Sequence, residues 1–274
     1  MSVDTGEYYI PGESDRAAST MAGFDPEKKL QQIGRRKFRA FFEGVRSIYQ
    51  IIDNQEDPKI ILAPWRGSAP IVWALQSIAE HKGKELPIIV PLPIGTSVTA
   101  EDASSWNQKG RTGQEKIEVT RSYLNTIDTL YGPILNSKDG TLNGRKGGIV
   151  LLDEANTGGT ISQAAAHISL IIDKELKWNC KFSIVMAHTN HGQQVSLAKR
   201  AESLLSNYYG ATHKVTMPLF FMDMQEVLPF ILRQDPNIRT DAKYSQWELL
   251  EVTDNPKARE AIQSRCKIIL AAEE

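Results

Sequence analysis

Gly148-Ile149-Val150-Leu151-Leu152-Asp153-Glu154-Ala155-Asn156-Thr157-Gly158-Gly159-Thr160 is the stretch on which the fold turns. Ile149 to Leu152 make a short unbroken apolar run, as a parallel strand buried on both faces requires, and Ser162 to Leu176 carries apolar residues at helical spacing. The residues between must then form a tight strand-to-helix turn. Such a turn aims free backbone N–H groups at an anion, and the helix dipole places partial positive charge at the same point. Gly158 and Gly159 permit a close backbone approach, while Thr157 and Thr160 add hydroxyl donors. Asp153 and Glu154 stand beside this cradle at the strand's carboxyl end, where carboxylates accept hydrogen bonds from vicinal hydroxyls. Phosphate on one side and a diol on the other describe a phosphorylated ribose. Thr160 is followed by Ile161, so the Lys-Ser/Thr ending of a P-loop is missing, and no G-x-G-x-x-G fingerprint occurs.

A second segment repeats the pattern. Lys59-Ile60-Ile61-Leu62-Ala63-Pro64 reads as a strand, Trp65-Arg66-Gly67-Ser68-Ala69-Pro70 as an anion-sized turn, and Ile71 to Ala79 as a helix. Ser68 is expected to cap that helix and Pro70 to fall in its first turn, leaving Arg66 and the Gly67 backbone to face solvent or an anion. Arginine suits the task because its planar fork grips phosphate oxygens in pairs.

Together the two segments resemble the phosphoribosyl-pyrophosphate (PRPP) signature and the pyrophosphate loop of type I phosphoribosyltransferases. The resemblance implies an α/β fold with a central parallel sheet, helices on both faces, a mobile loop over the site and a hood that recognises the base. It assigns Asp153 and Glu154 to catalysis. Ala155, Asn156, Thr157, Gly158, Gly159 and Thr160 would bind the 5'-phosphate, and Trp65, Arg66, Gly67 and Ser68 the pyrophosphate. Mg²⁺ is the implied cofactor, held mainly through ligand oxygens rather than by an all-protein cage.

The remaining parts follow from polarity and position. Residues 99–113 are polar and glycine-interrupted between two expected strands, as a lid would be, and the resemblance brings Lys109 or Arg111 to the pyrophosphate. Lys214 to Asp223 is an apolar run ending in Phe220-Phe221-Met222-Asp223; the resemblance puts the base hood at Phe221 and a metal-side carboxylate at Asp223. His188 and His191 have the spacing of a metal pair, yet no third ligand accompanies them at a diagnostic distance. Strands are expected at about 59–64, 87–92, 116–120, 148–152, 181–186 and 214–219. A helix starting at Asp25-Pro26 presents Leu30, Ile33, Phe38, Phe41, Val45, Ile48 and Ile52 as its apolar face.

The organisation is a loosely ordered arm over 1–25 and one phosphoribosyltransferase-like domain over 26–274, with an insertion at about 122–145 and a carboxyl extension at about 224–274. The extension's expected role is packing or homodimer formation. With 274 residues, 41% hydrophobic and 24% charged, the chain has enough apolar material for a full core. A net charge of -1 argues against a globally basic nucleic-acid coat. Arg35, Arg36, Lys37, Arg39 and Arg46 form a local basic run, for which a solvated helix face is the plain account and nucleic-acid contact the alternative. Cys180 and Cys266 form no disulfide framework, and no leader or membrane-length run is visible, so a cytoplasmic location is expected.

The expected activity is Mg²⁺-assisted transfer of a 5-phosphoribosyl group from PRPP to a nucleobase or base-like nitrogen, releasing pyrophosphate. The competing expectation is a regulator or effector subunit of the same fold that senses PRPP or a nucleotide, with a nucleic-acid or protein partner. One departure bears on the acceptor. Members using hypoxanthine or guanine place an Asp three positions after the second acid, where this chain has Thr157, which cannot protonate a purine ring.

Overall fold

The computed structural model describes residues 26–54, 58–92, 148–154, 181–188, 219–223 and 256–273, with short pieces at 141–142 and 145–146 and helical positions between 121 and 129 and between 165 and 176. The chain builds α1 (Pro26–Asn54), β1 (Pro58–Pro64), α2 (Trp65–His81), β2 (Ile88–Leu92), β3 (Thr141–Leu142), β4 (Arg145–Lys146), β5 (Gly148–Glu154), β6 (Lys181–His188), β7 (Leu219–Asp223) and α3 (Pro256–Ala271). Five strands form one sheet in the order β2-β1-β5-β6-β7, and every neighbouring pair is parallel. This is an α/β fold built on an all-parallel sheet.

Alternation along the strands shows how the sheet is covered. Ile61, Ala63, Val150, Leu152, Val185 and Ala187 join one buried cluster with α1, α2 and α3. Their neighbours Ile60, Leu62, Ile149, Leu151, Ile184 and Met186 join another with Leu124, Ile127, Ala165, Ile168 and Ile171. A strand buried on both faces has no polar face to show, which is why β5 reads as an uninterrupted apolar run. Pro91 lies in β2, the last strand on one side among the described residues.

All seven residues expected on the apolar face of the first helix are buried. The helix is broken at Gly34, whose φ of 73° and ψ of 155° are not helical, so α1 is two helices joined across a kink. The basic run begins just past that break: Arg35, Arg36, Lys37 and Arg39 are exposed, and Arg39 approaches Glu43 at 3.9 Å. Arg46, farther along α1, also approaches Glu43, at 3.4 Å. Its guanidinium donates to Glu273 Oε1 and Oε2 at 2.8 and 2.6 Å and lies 5.2 Å from the Phe42 ring centre.

Part of the expected insertion and of the expected carboxyl extension belongs to the core. Leu124 and Ile127 are buried, while Thr141–Leu142 and Arg145–Lys146 pair antiparallel. In α3, Ala258, Ile262, Cys266 and Leu270 are buried against α1 and α2. The last described strand is Leu219–Asp223, so the expected strand at 214–219 meets the described residues only at Leu219. The arm at 1–25, the expected strand at 116–120 and residues 214–218 lie outside the described residues.

Candidate functional site

The sheet order gives the site its place. β1 has β2 on one side and β5 on the other, so the chain's crossovers leave in opposite directions between β1 and β5; in open α/β sheets the ligand crevice lies outside the carboxyl ends at such a point. Both motif segments end there. β1 runs out at Pro64 into α2, and β5 runs out at Asp153 and Glu154. At the same edge, His188 ends β6 opposite Asp223 at the end of β7.

The turn after β1 differs from its expected form. Trp65, Arg66, Gly67 and Ser68 make up the first turn of α2 rather than a loop ahead of it, and the helix has Pro64 at its cap position with no side-chain cap. Ser68 is fully buried and does not cap: its hydroxyl donates to the Pro64 carbonyl at 2.6 Å. A buried hydroxyl requires a partner, and the carbonyl one turn back supplies it. Pro70 is the sixth residue of the helix, beyond the first turn, and cannot donate to the Arg66 carbonyl one turn earlier. The first N–H groups of α2 thus face the carboxyl edge without a capping side chain from their own segment.

The acids of β5 lie against the third residue of this turn. Gly67 packs so closely on them that a Cβ there would overlap Glu154 Cγ and come within 2.7 Å of Asp153 Oδ1. No larger residue fits without moving the acids, so the glycine is required by close approach. Asp153 is 5% exposed, and its Oδ1 accepts the Glu154 backbone N–H at 2.8 Å; Glu154 is half-buried. Carboxylates beside the amino end of a helix are favoured by its partial positive charge, by about 0.3–1 kcal/mol each when exposed and more when partly buried.

Sequence reasoning placed the two segments separately, and the fold brings Gly67, Asp153 and Glu154 into contact. Residues 155–160, the expected phosphate cradle, lie outside the described residues, as do Lys109 and Arg111 and the rest of 99–113. Trp65, Arg66, His188 and Asp223 have their backbones at the carboxyl edge, and Phe221 stands in the middle of β7, paired with Met186. Among the described residues no three His, Cys, Asp or Glu side chains gather as a metal-binding group, and no helix is long and apolar enough to cross a membrane. Sequence reasoning missed the packing of Gly67 on the acid pair; a glycine at the third position of a helix was its only local sign. No protein-family model, curated protein or solved structure matches this chain.

Proposed function

We infer that this protein is a type I phosphoribosyltransferase-like enzyme, transferring the 5-phosphoribosyl group of PRPP to a nucleobase-like nitrogen with release of pyrophosphate. The observation that carries this reading is the contact of Gly67, in the first turn of α2, with Asp153 and Glu154 at the end of β5. A turn suited to an anion and a pair of acids suited to a diol, far apart in the sequence, meet at the sheet's ligand-binding edge.

The chemistry is mostly positioning. The acid-bearing end of β5 holds the ribose and supports the positive charge that grows on the sugar as the pyrophosphate departs, while 155–160 anchor the 5'-phosphate and the amino end of α2 faces the leaving group. The donor set fits Mg²⁺: the hard carboxylate oxygens at the end of β5 are too few for a cage but would suit a cation that keeps most of its waters beside phosphate groups. When bound, Mg²⁺ would offset the charge of the leaving pyrophosphate.

Pyrophosphate release, measured across a panel of nucleobases with PRPP and Mg²⁺, tests the reading. Release with at least one base is expected. PRPP binding without release for any acceptor would favour the regulator, and absence of binding would remove both.

A further inference from the structure

The adjacent acids are not equivalent. Asp153 is almost wholly buried, with Oδ1 turned back onto the N–H of the next residue and against Gly67. A buried carboxylate held in this way has little surface left for a ligand. Glu154 is longer and half-buried; its Cγ is the atom nearest to where a Gly67 side chain would stand, with Cδ farther off at 3.4 Å. Its stem therefore passes Gly67, and its carboxylate lies beyond.

Resting on the phosphoribosyl reading, we propose that the two acids divide the work: Glu154 contacts the sugar hydroxyls, and Asp153 is a positioning residue that fixes the Glu154 peptide and joins the end of β5 to the first turn of α2. Asp153 acts here as an acceptor for the Glu154 N–H, and its charge is secondary. An amide at position 153 keeps an acceptor oxygen of nearly the same shape, whereas alanine removes it. A glutamine at 154 gives up the charged acceptor that a hydroxyl donor prefers.

The test uses the full chain with PRPP and Mg²⁺ as the probe, comparing affinity and unliganded melting temperature for wild type, Asp153→Asn, Asp153→Ala and Glu154→Gln. Asp153→Asn should bind within about threefold of wild type, Asp153→Ala and Glu154→Gln at least about tenfold more weakly, with only Asp153→Ala melting several degrees lower. A loss in Asp153→Asn as large as that in Glu154→Gln would overturn the division, since it would make the Asp153 charge a ligand contact. That comparison holds even if Asp153→Ala does not fold. If the wild type does not bind PRPP, the phosphoribosyl reading and the Glu154 contact fall together. The melting temperatures of the two Asp153 variants still decide the positioning role, and equal values would refute it.

Discussion

Gly34 shows what one side chain contributes to this fold. Its φ of 73° with ψ of 155° lies in a region that essentially only glycine occupies, and a Cβ there would meet nothing within 4 Å. Gly34→Ala would therefore introduce backbone strain without a clash, and should lower the unfolding free energy by about 1–3 kcal/mol in urea titration. A smaller loss would mean that α1 straightens through the break. Cys266 gives a pH-dependent counterpart. Burial pushes its thiol from 9.0 up to about 12, against a smaller opposing effect of its hydrogen bond with Ser77. Between those values the unfolded chain has released a proton that the folded chain retains, so stability is intact below pH 9 and declines above it. The wild type should lose up to about 1.4 kcal/mol per pH unit more than Cys266→Ala over this window, as read from denaturation midpoints at pH 8 to 11. Parallel curves for the two proteins would show that the thiol ionises freely in the folded state.

The helices and strands differ in how far the sequence exposed them. In α1 the apolar residues recur with helical period against a strongly polar background, so most of the buried face could be named, though Phe42 and Tyr49 are buried as well; the break at Gly34 could not, because one glycine inside a helical pattern does not disclose its φ. The end of β5 was visible for the opposite reason: an apolar run stops abruptly at two acids. The contact of those acids with Gly67 depends on β1 and β5 being neighbours, a pairing that no local pattern encodes. The carboxyl-terminal helix was legible as a helical stretch from Pro256, but what it packs against was not. Its exposed residues outnumber its buried ones and include Ile268, so its role appears only through the surface that α1 and α2 offer to Ala258, Ile262, Cys266 and Leu270. Lys267 reaches Glu80 at 3.2 Å, but that pair is well exposed and adds little. Ile262 is fully buried, so Ile262→Ala should cost about 2–5 kcal/mol by transfer and cavity terms together. A cost below 1 kcal/mol by urea denaturation would make α3 an accessory to the core.

Taken as one body, the protein carries almost no net charge, so no general field draws an anionic ligand in; anion affinity has to come from local dipoles and donors at the carboxyl edge of the sheet. That edge is assembled from segments that unfold together with β1, β5 and α2, and a ligand spanning them binds only the folded chain. PRPP with Mg²⁺ should consequently raise the melting temperature, with stabilisation growing as the logarithm of free ligand once the site saturates, to about 2.7 kcal/mol at a hundredfold excess over Kd. Mg²⁺ alone should do little, because two carboxylates supply too few ligands to hold it without phosphate oxygens. Inorganic pyrophosphate with Mg²⁺ should give a smaller shift than PRPP, since it reaches the amino end of α2 but brings no diol to Glu154. Differential scanning fluorimetry over millimolar ranges of all three separates the cases. Equal shifts with pyrophosphate and PRPP would reduce the site to an anion cradle, and no shift with either would remove the phosphoribosyl reading from this fold.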